Sequence, residues 1–220
     1  TAIDIDNIKQ LKIADYNNFF YTLTEKNNSA ATKNRKVAAI RTFYKYLVDS
    51  SLIAPEQNIS NNIDKFKKPR RLPKFLTQDE AVRLINTPKG SNAKRDQAII
   101  YLFLSTGLRL SELAGLNEHD ITENKVHIIG KEDAERIIYI QDTARDYLNE
   151  WLEGRPNAKT DALFISQREG VRLSKGGLEI MIKKCLVEIG RGDCHLHNLR
   201  ATFATTLASQ GVNIAIIQKA

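Results

Sequence analysis

A chain of 220 residues with 42% hydrophobic side chains holds enough apolar material for a sizeable core, as one large domain or as a small domain joined to a larger one. Its longest apolar runs, such as 98–104, are far shorter than the roughly 20 residues of a membrane-spanning helix. The N-terminus shows no basic-then-apolar leader, and Cys185 and Cys194 match neither a disulfide framework nor a redox pair, so the reading is a cytoplasmic protein with no membrane contact. The net charge of +7 favours a polyanionic partner, and it is unevenly placed: residues 1–72 hold 13 Lys/Arg against 7 Asp/Glu, a net of +6, leaving 20 against 19, a net of +1, for residues 73–220.

In chain order, residues 7–23 and 32–50 carry apolar side chains at helical spacing, with Val37, Ile40, Tyr44 and Leu47 on one stripe and Arg35, Arg41 and Lys45 off it. The spacing predicts a small helical domain over 1–64, with Phe43, Tyr44 and Tyr46 packing in its core and the off-stripe basic residues free for phosphate contacts. Residues 65–75 hold Lys65, Lys67, Lys68, Arg70, Arg71 and Lys74, interrupted by Pro69 and Pro73. Two prolines forbid a continuous helix and the like charges repel, which predicts an extended basic linker at a domain boundary, with all six as DNA-contact candidates.

A second domain is expected over 76–220. Thr77 and Glu80 form a capping box opening a helix, and another helix is predicted over 96–106. The period then changes: 125–129 and 135–140 are short β-branched runs around Gly130 to Ala134, predicting an antiparallel hairpin with Lys131 in its turn. Asp142 is expected to cap the helix holding Tyr147, Leu148 and Trp151, 162–166 to add a strand, 174–189 to be helical, and helices over 197–209 and 214–220 to break at Gly211. The fold class is mainly α with a small antiparallel sheet, in two domains. No glycine-rich nucleotide loop is present, and Cys194, His195 and His197 offer at most three local ligands, so neither metal nor cofactor is expected. His119 and His127 have no motif around them.

Two arginine motifs carry the chemistry. Thr106-Gly107-Leu108-Arg109-Leu110-Ser111-Glu112-Leu113 and His197-Asn198-Leu199-Arg200-Ala201-Thr202-Phe203-Ala204-Thr205 each set a guanidinium beside helix-forming apolar residues. Arginine's planar fork donates to two oxygens at once and keeps its charge at any physiological pH. Together Arg109, Lys131, His197 and Arg200 form a set suited to neutralising a pentacoordinate phosphorane and delivering a proton without a metal. His197 and Arg200, three apart on a helix, share a face.

The order of these motifs, a helical region, a basic linker, TGLRLSEL, a strand-turn-strand with Gly130-Lys131 and Glu135-Arg136, and an HxLRxTFAT helix, resembles the tyrosine recombinase and integrase family, particularly its short Xer-like members. That resemblance implies a C-shaped clamp on duplex DNA, built from a core-binding domain incomplete at its N-terminus and a catalytic domain incomplete at its C-terminus. It implies Arg109 and Arg200 as the catalytic arginines, Glu112 as their acidic support, Lys131 as general acid for the 5′ oxygen and His197 as the family's histidine. A tyrosine of the family attacks the scissile phosphate to give a 3′-phosphotyrosyl bond, with neither ATP nor metal. The family continues past the position of Ala220 with an LGH-like segment and then that tyrosine, whereas none of the 7 tyrosines here follows the HxLR motif. The nucleophile is therefore expected to be absent from this chain, which is expected not to cleave DNA by itself. Ala201 stands where many relatives have histidine. The implied partners are duplex DNA with paired half-sites and a homotetramer on synapsed DNA, with this chain alone monomeric. The alternative is a non-cleaving, sequence-specific DNA-binding protein derived from the same fold.

Overall fold

A computed structural model of the chain describes residues 5–69, 72–129, 135–166 and 168–213. The chain divides into two compact units, Thr1–Arg71 and Leu72–Ala220.

In the first unit the apolar stripe yields α1 (Ile5–Gln10), α2 (Ile13–Glu25) and α3 (Ala30–Asp49), followed by 3-10 turns at Pro55–Gln57 and Ile59–Asn62. One helix was predicted over 7–23 and two are found. The Asp15 carboxylate accepts the Lys12 N–H at 2.8 Å and so caps a fresh start after Leu11. Ser29 caps α3, its hydroxyl accepting from the Thr32 N–H. Val37, Tyr44 and Leu47 are buried as the stripe requires, in two small clusters completed by Phe20 and Ile63 and by Ile53. The aromatic trio is not buried as a group: Tyr44 is 1% exposed, Phe43 37% and Tyr46 60%. At about 100° per residue, neighbours one and two positions away leave the face that Tyr44 occupies. Phe66 lies against Phe20 with ring centroids 5.2 Å apart, and its backbone N–H and carbonyl are both bound by the Asn34 amide at 2.8 Å. The start of the basic segment is thus fastened to α3.

The second unit contains α4 (Gln78–Ile85), α5 (Ala93–Thr106), α6 (Leu110–Gly115), a three-stranded antiparallel sheet of β1 (Ile121–Thr122), β2 (Lys125–Ile129) and β3 (Glu135–Tyr139) in the order β1-β2-β3, then α7 (Asp142–Gly154), α8 (Lys175–Glu188) and α9 (Leu196–Ser209). The architecture is mainly helical with one small antiparallel sheet, as the patterning predicts. The strand register pairs Ile128 with Arg136 and Val126 with Ile138. The core is built around α5, whose Ala98, Ile99, Ile100, Leu102 and Phe103 are all buried, so that this helix is apolar on most of its circumference. The capping box of Thr77 and Glu80 forms as expected.

Three local expectations are corrected. Gln141, not Asp142, precedes α7; Asp142 is its first residue, and its carboxylate accepts from Asn124 Nδ2 at 2.7 Å across the β1–β2 turn. Residues 162–166 form no strand, only isolated bridges Asn117↔Ala162 and Ile165↔Arg172; their apolar run reflects burial of Ala162 to Ile165 in the core rather than pairing in a sheet. Helix α5 begins at Ala93 instead of residue 96. The predicted turn at Lys131 and the helix over 214–220 lie outside the described residues.

Candidate functional site

The first motif is placed by a helix stop. Helix α5 ends at Thr106 and Gly107 takes the left-handed conformation, φ 62°. A methyl group built at Gly107 would lie 2.8 Å from Phe203 Cε1 on α9 and closer still to Cδ1, so the chain needs glycine there for two reasons. Leu108 is then fully buried and Arg109, in extended conformation before α6, turns outward with its side chain 56% exposed. Glu112, only 7% exposed, reaches back from the first turn of α6. One of its oxygens accepts the Arg109 N–H at 2.7 Å and the other accepts Arg109 Nη1 at 2.8 Å. Arg136, entering from β3, donates Nη2 to Glu112 at 3.1 Å. Burial raises the Glu112 pKa, but the hydrogen bonds from Arg109 and the charge of Arg136 outweigh it and hold the carboxyl below its usual range.

The second motif lies on α9. Its first turn is fixed by Asn198, which accepts the His195 N–H at 2.7 Å and donates Nδ2 to the Lys74 carbonyl at 2.9 Å, and by Thr202, whose hydroxyl accepts the Leu76 N–H at 2.9 Å. Arg191, just before the helix, pairs with Glu80 of the α4 capping box at 2.6 Å and donates to Cys194 Sγ at 2.9 Å. Burial pushes the pKa of the Cys194 thiol up. The chain leaving the basic segment is therefore laced to the helix that carries Arg200.

Arg200 is half-buried and, among the described residues, makes no hydrogen bond or ion pair. Its pKa is lowered by burial first and then by the positive charge of Arg109, with Arg136 adding to the same effect. An arginine does not lose its proton under such pressure. The direction therefore marks a cation held where another negative charge would be welcome. Among the described residues Arg109 and Arg136 pair with one carboxylate, Glu112, and Arg200 lies near enough for the charges of all three to act on it.

Arg109, Glu112 and Arg200 are thus brought together. His197 stands exposed one turn before Arg200 and makes no hydrogen bond to them among the described residues. Lys131, Arg70 and Arg71 lie outside the described residues. Arg35, Lys45, Lys65, Lys67 and Lys68 are exposed. Arg41 is partly engaged within its own unit: Nη2 donates to the Ile63 carbonyl at 2.8 Å and Nε to the Ser60 carbonyl at 3.4 Å, holding the second 3-10 turn against α3. Lys74 is exposed but paired with Asp193 at 2.9 Å. Hydrogen bonds from Lys74 and then Arg191 draw the Asp193 carboxyl down to about 2.

Residues 74–220 match the phage integrase family. The chain belongs to that family. Within the phage integrase family it resembles the Xer tyrosine recombinases: it is 34% identical to tyrosine recombinase XerC of Caldanaerobacter subterraneus subsp. tengcongensis, across 99% of this chain and 63% of that protein. It is 33% identical to tyrosine recombinase XerD of Oceanobacillus iheyensis, across 93% of this chain and 71% of that protein. The chain thus spans less than two thirds of the first relative's length. The fold matches that of XerH site-specific recombinase bound to difH substrate in a pre-cleavage complex, with a TM-score of 0.73 at 23% identity, covering 96% of this chain and 63% of that one. It matches a lambda integrase dimer bound to a COC′ core site equally well, with a TM-score of 0.73 at 15% identity over 96% of this chain and 78% of that one.

Beyond the residues to which the motifs of this phage integrase family member give a role, the structure adds Arg136 to the cluster. The signal for it was present in the alternation of β3, where Arg136 shares the inward face with Ile138. A charged residue at an inward strand position needs a partner, and Glu112 was already the motif's acidic residue.

Proposed function

We propose that this chain is the DNA-binding and phosphate-activating part of a cytoplasmic site-specific tyrosine recombinase, which cuts and rejoins duplex DNA through a 3′-phosphotyrosyl intermediate. The observation that carries the reading is the convergence of Arg109 and Arg200, from motifs far apart in sequence, on one cluster in which Arg200 has no protein partner among the described residues. A scissile phosphate supplies the missing negative charge, and the trigonal bipyramidal transition state, carrying more charge on its equatorial oxygens, is held more tightly than the ground state.

In this reading a tyrosine hydroxyl releases its proton to solvent as its oxygen forms a bond to phosphorus, the bond from phosphorus to the 5′ oxygen breaks, and Lys131 gives its proton to that leaving oxygen. Arg109 and Arg200 hold the non-bridging oxygens, Glu112 keeps Arg109 in place, and His197 serves beside Arg200. All 7 tyrosines precede the HxLR motif, and the reading takes none of them as the nucleophile. The 220-residue chain is then a monomer that binds DNA without cutting it, while the full protein works as a tetramer on two sites. Residues 1–64 act as a core-binding domain, 65–75 as a basic linker and 76–220 as catalytic domain, closing on the duplex as a clamp.

The test is covalent capture on nicked DNA by the full-length protein. Wild type should form a protein-DNA adduct, and Arg200→Ala should lose it while still binding. If the full-length wild type binds its duplex but never forms an adduct, the chain is a non-cleaving DNA-binding relative, the reading that Ala201 in the second motif would then favour.

A further inference from the structure

Arg136, to which the motifs assign no role, is held on the inward face of the sheet. On β3, Glu135, Ile137 and Tyr139 face solvent, while Arg136 and Ile138 face inward; the cross-strand neighbour of Arg136, Ile128, is buried. A guanidinium on the inward face of a sheet is costly unless it is paired. Its pairing is partial: Nη2 reaches Glu112, and Nε is buried without a hydrogen-bond partner among the described residues. The Glu112 oxygen that takes Arg136 is the same one that takes the Arg109 N–H, while the other oxygen takes the Arg109 guanidinium. One carboxylate therefore joins the sheet, the start of α6 and the fork of Arg109. Arg136 need not touch a phosphate to influence it, because it shares with Arg109 the carboxylate that holds the Arg109 guanidinium.

We propose that Arg136 is a positioning residue for the phosphate site, acting on Arg109 through Glu112. The inference rests on the reading of Arg109 and Arg200 as a phosphate clamp. Its rival is direct contact between Arg136 and the anion, and the two roles separate in a double-mutant cycle, because an effect transmitted through Glu112 disappears once Glu112 is replaced.

The experiment uses the 220-residue chain with nitrogen-15 in its arginines, titrated with inorganic phosphate while the arginine Nε–Hε signals are followed by NMR. In the unsubstituted chain phosphate should shift the Arg109 and Arg200 signals. Arg136→Gln should displace the Arg109 signal before any phosphate is added and weaken phosphate binding by about tenfold; in a Glu112→Gln background the same substitution should weaken it by no more than about twofold, the residue of a lost distant charge. If Arg136→Gln does not fold, Arg136→Lys enters the same cycle, with a loss of about threefold expected beside Glu112 and none in the Glu112→Gln background. An equal loss in both backgrounds would mean direct contact and overturn the positioning role, as would no loss in either. Phosphate that leaves both Arg109 and Arg200 unmoved in the unsubstituted chain would overturn the clamp itself, and the positioning role with it.

Discussion

The two units treat a half-buried arginine in opposite ways. In the first unit, which carries nearly all of the net positive charge, Arg41 lies beside α3 with two of its donor nitrogens on backbone carbonyls. In the second, whose charges almost cancel, Arg200 lies on α9 with no protein partner among the described residues and two further guanidiniums nearby. Net charge sets how strongly a polyanion is attracted from a distance. A local deficit of acceptors determines where one phosphate is gripped. The first unit is a general attractor that ties Arg41 to its own backbone, and the second is nearly neutral but leaves the Arg200 cation without a protein partner among the described residues.

The sharpest way to break this contrast is to remove the unsatisfied cation. Arg200→Ala in the full-length protein should slow covalent adduct formation by about 100- to 1,000-fold, measured as single-turnover cleavage of nicked duplex, with duplex affinity falling far less. A comparable loss of affinity and rate would make Arg200 a general DNA contact like those of the first unit. Next in size, Gly107→Ala should cost about 2–4 kcal/mol in urea unfolding, because alanine must adopt a left-handed backbone and its methyl meets Phe203. An unchanged midpoint would show that α5 and α9 do not press together there.

Arg41→Ala should destabilise by about 1.5–3 kcal/mol, through loss of charge-assisted bonds to two carbonyls, while leaving the salt dependence of duplex binding unaltered. Arg35→Ala or Lys45→Ala should do the reverse, leaving stability nearly intact and reducing the slope of log affinity against log salt by about 0.9 each. If Arg41→Ala reduces the slope as well, its side chain exchanges carbonyls for phosphate on DNA. The smallest effect concerns Asp193, whose carboxyl sits at about 2 against an ordinary 3.8. A depressed folded-state value means that its contribution is present above 3.8 and is lost as pH falls towards 2. Lys74→Ala should move the carboxyl carbon titration of Asp193 back towards the ordinary value by NMR, and no movement would assign the shift to Arg191.

Much of this was legible in the sequence because the signals were periodic or local. The α3 stripe of Val37, Tyr44 and Leu47, the Thr77 to Glu80 capping box and the β2–β3 pairing each follow from spacing alone. What was missed depends on contacts between distant residues. The inward role of Arg41 is set by where the Ser60 and Ile63 carbonyls fall, and the Asp142 side chain is drawn to Asn124, which no helix-start rule anticipates. The 162–166 run reads as a strand in sequence because buried apolar residues look alike whether or not they pair. Arg136 was visible within a motif, but its importance depends on Glu112 lying opposite an inward strand position.

The close approach of Phe203 to Gly107 ties the two arginine motifs together in space, and with that the order in which they can change. A chain of this family that acquires a side chain at the position of Gly107 should be viable only if the aromatic ring at the position of Phe203 has already given way to something smaller, and the order of those two changes should matter. Introducing Phe203→Leu before Gly107→Ala would test that path: the glycine substitution should be milder in the second step than in the parent, leaving only the backbone part of its cost.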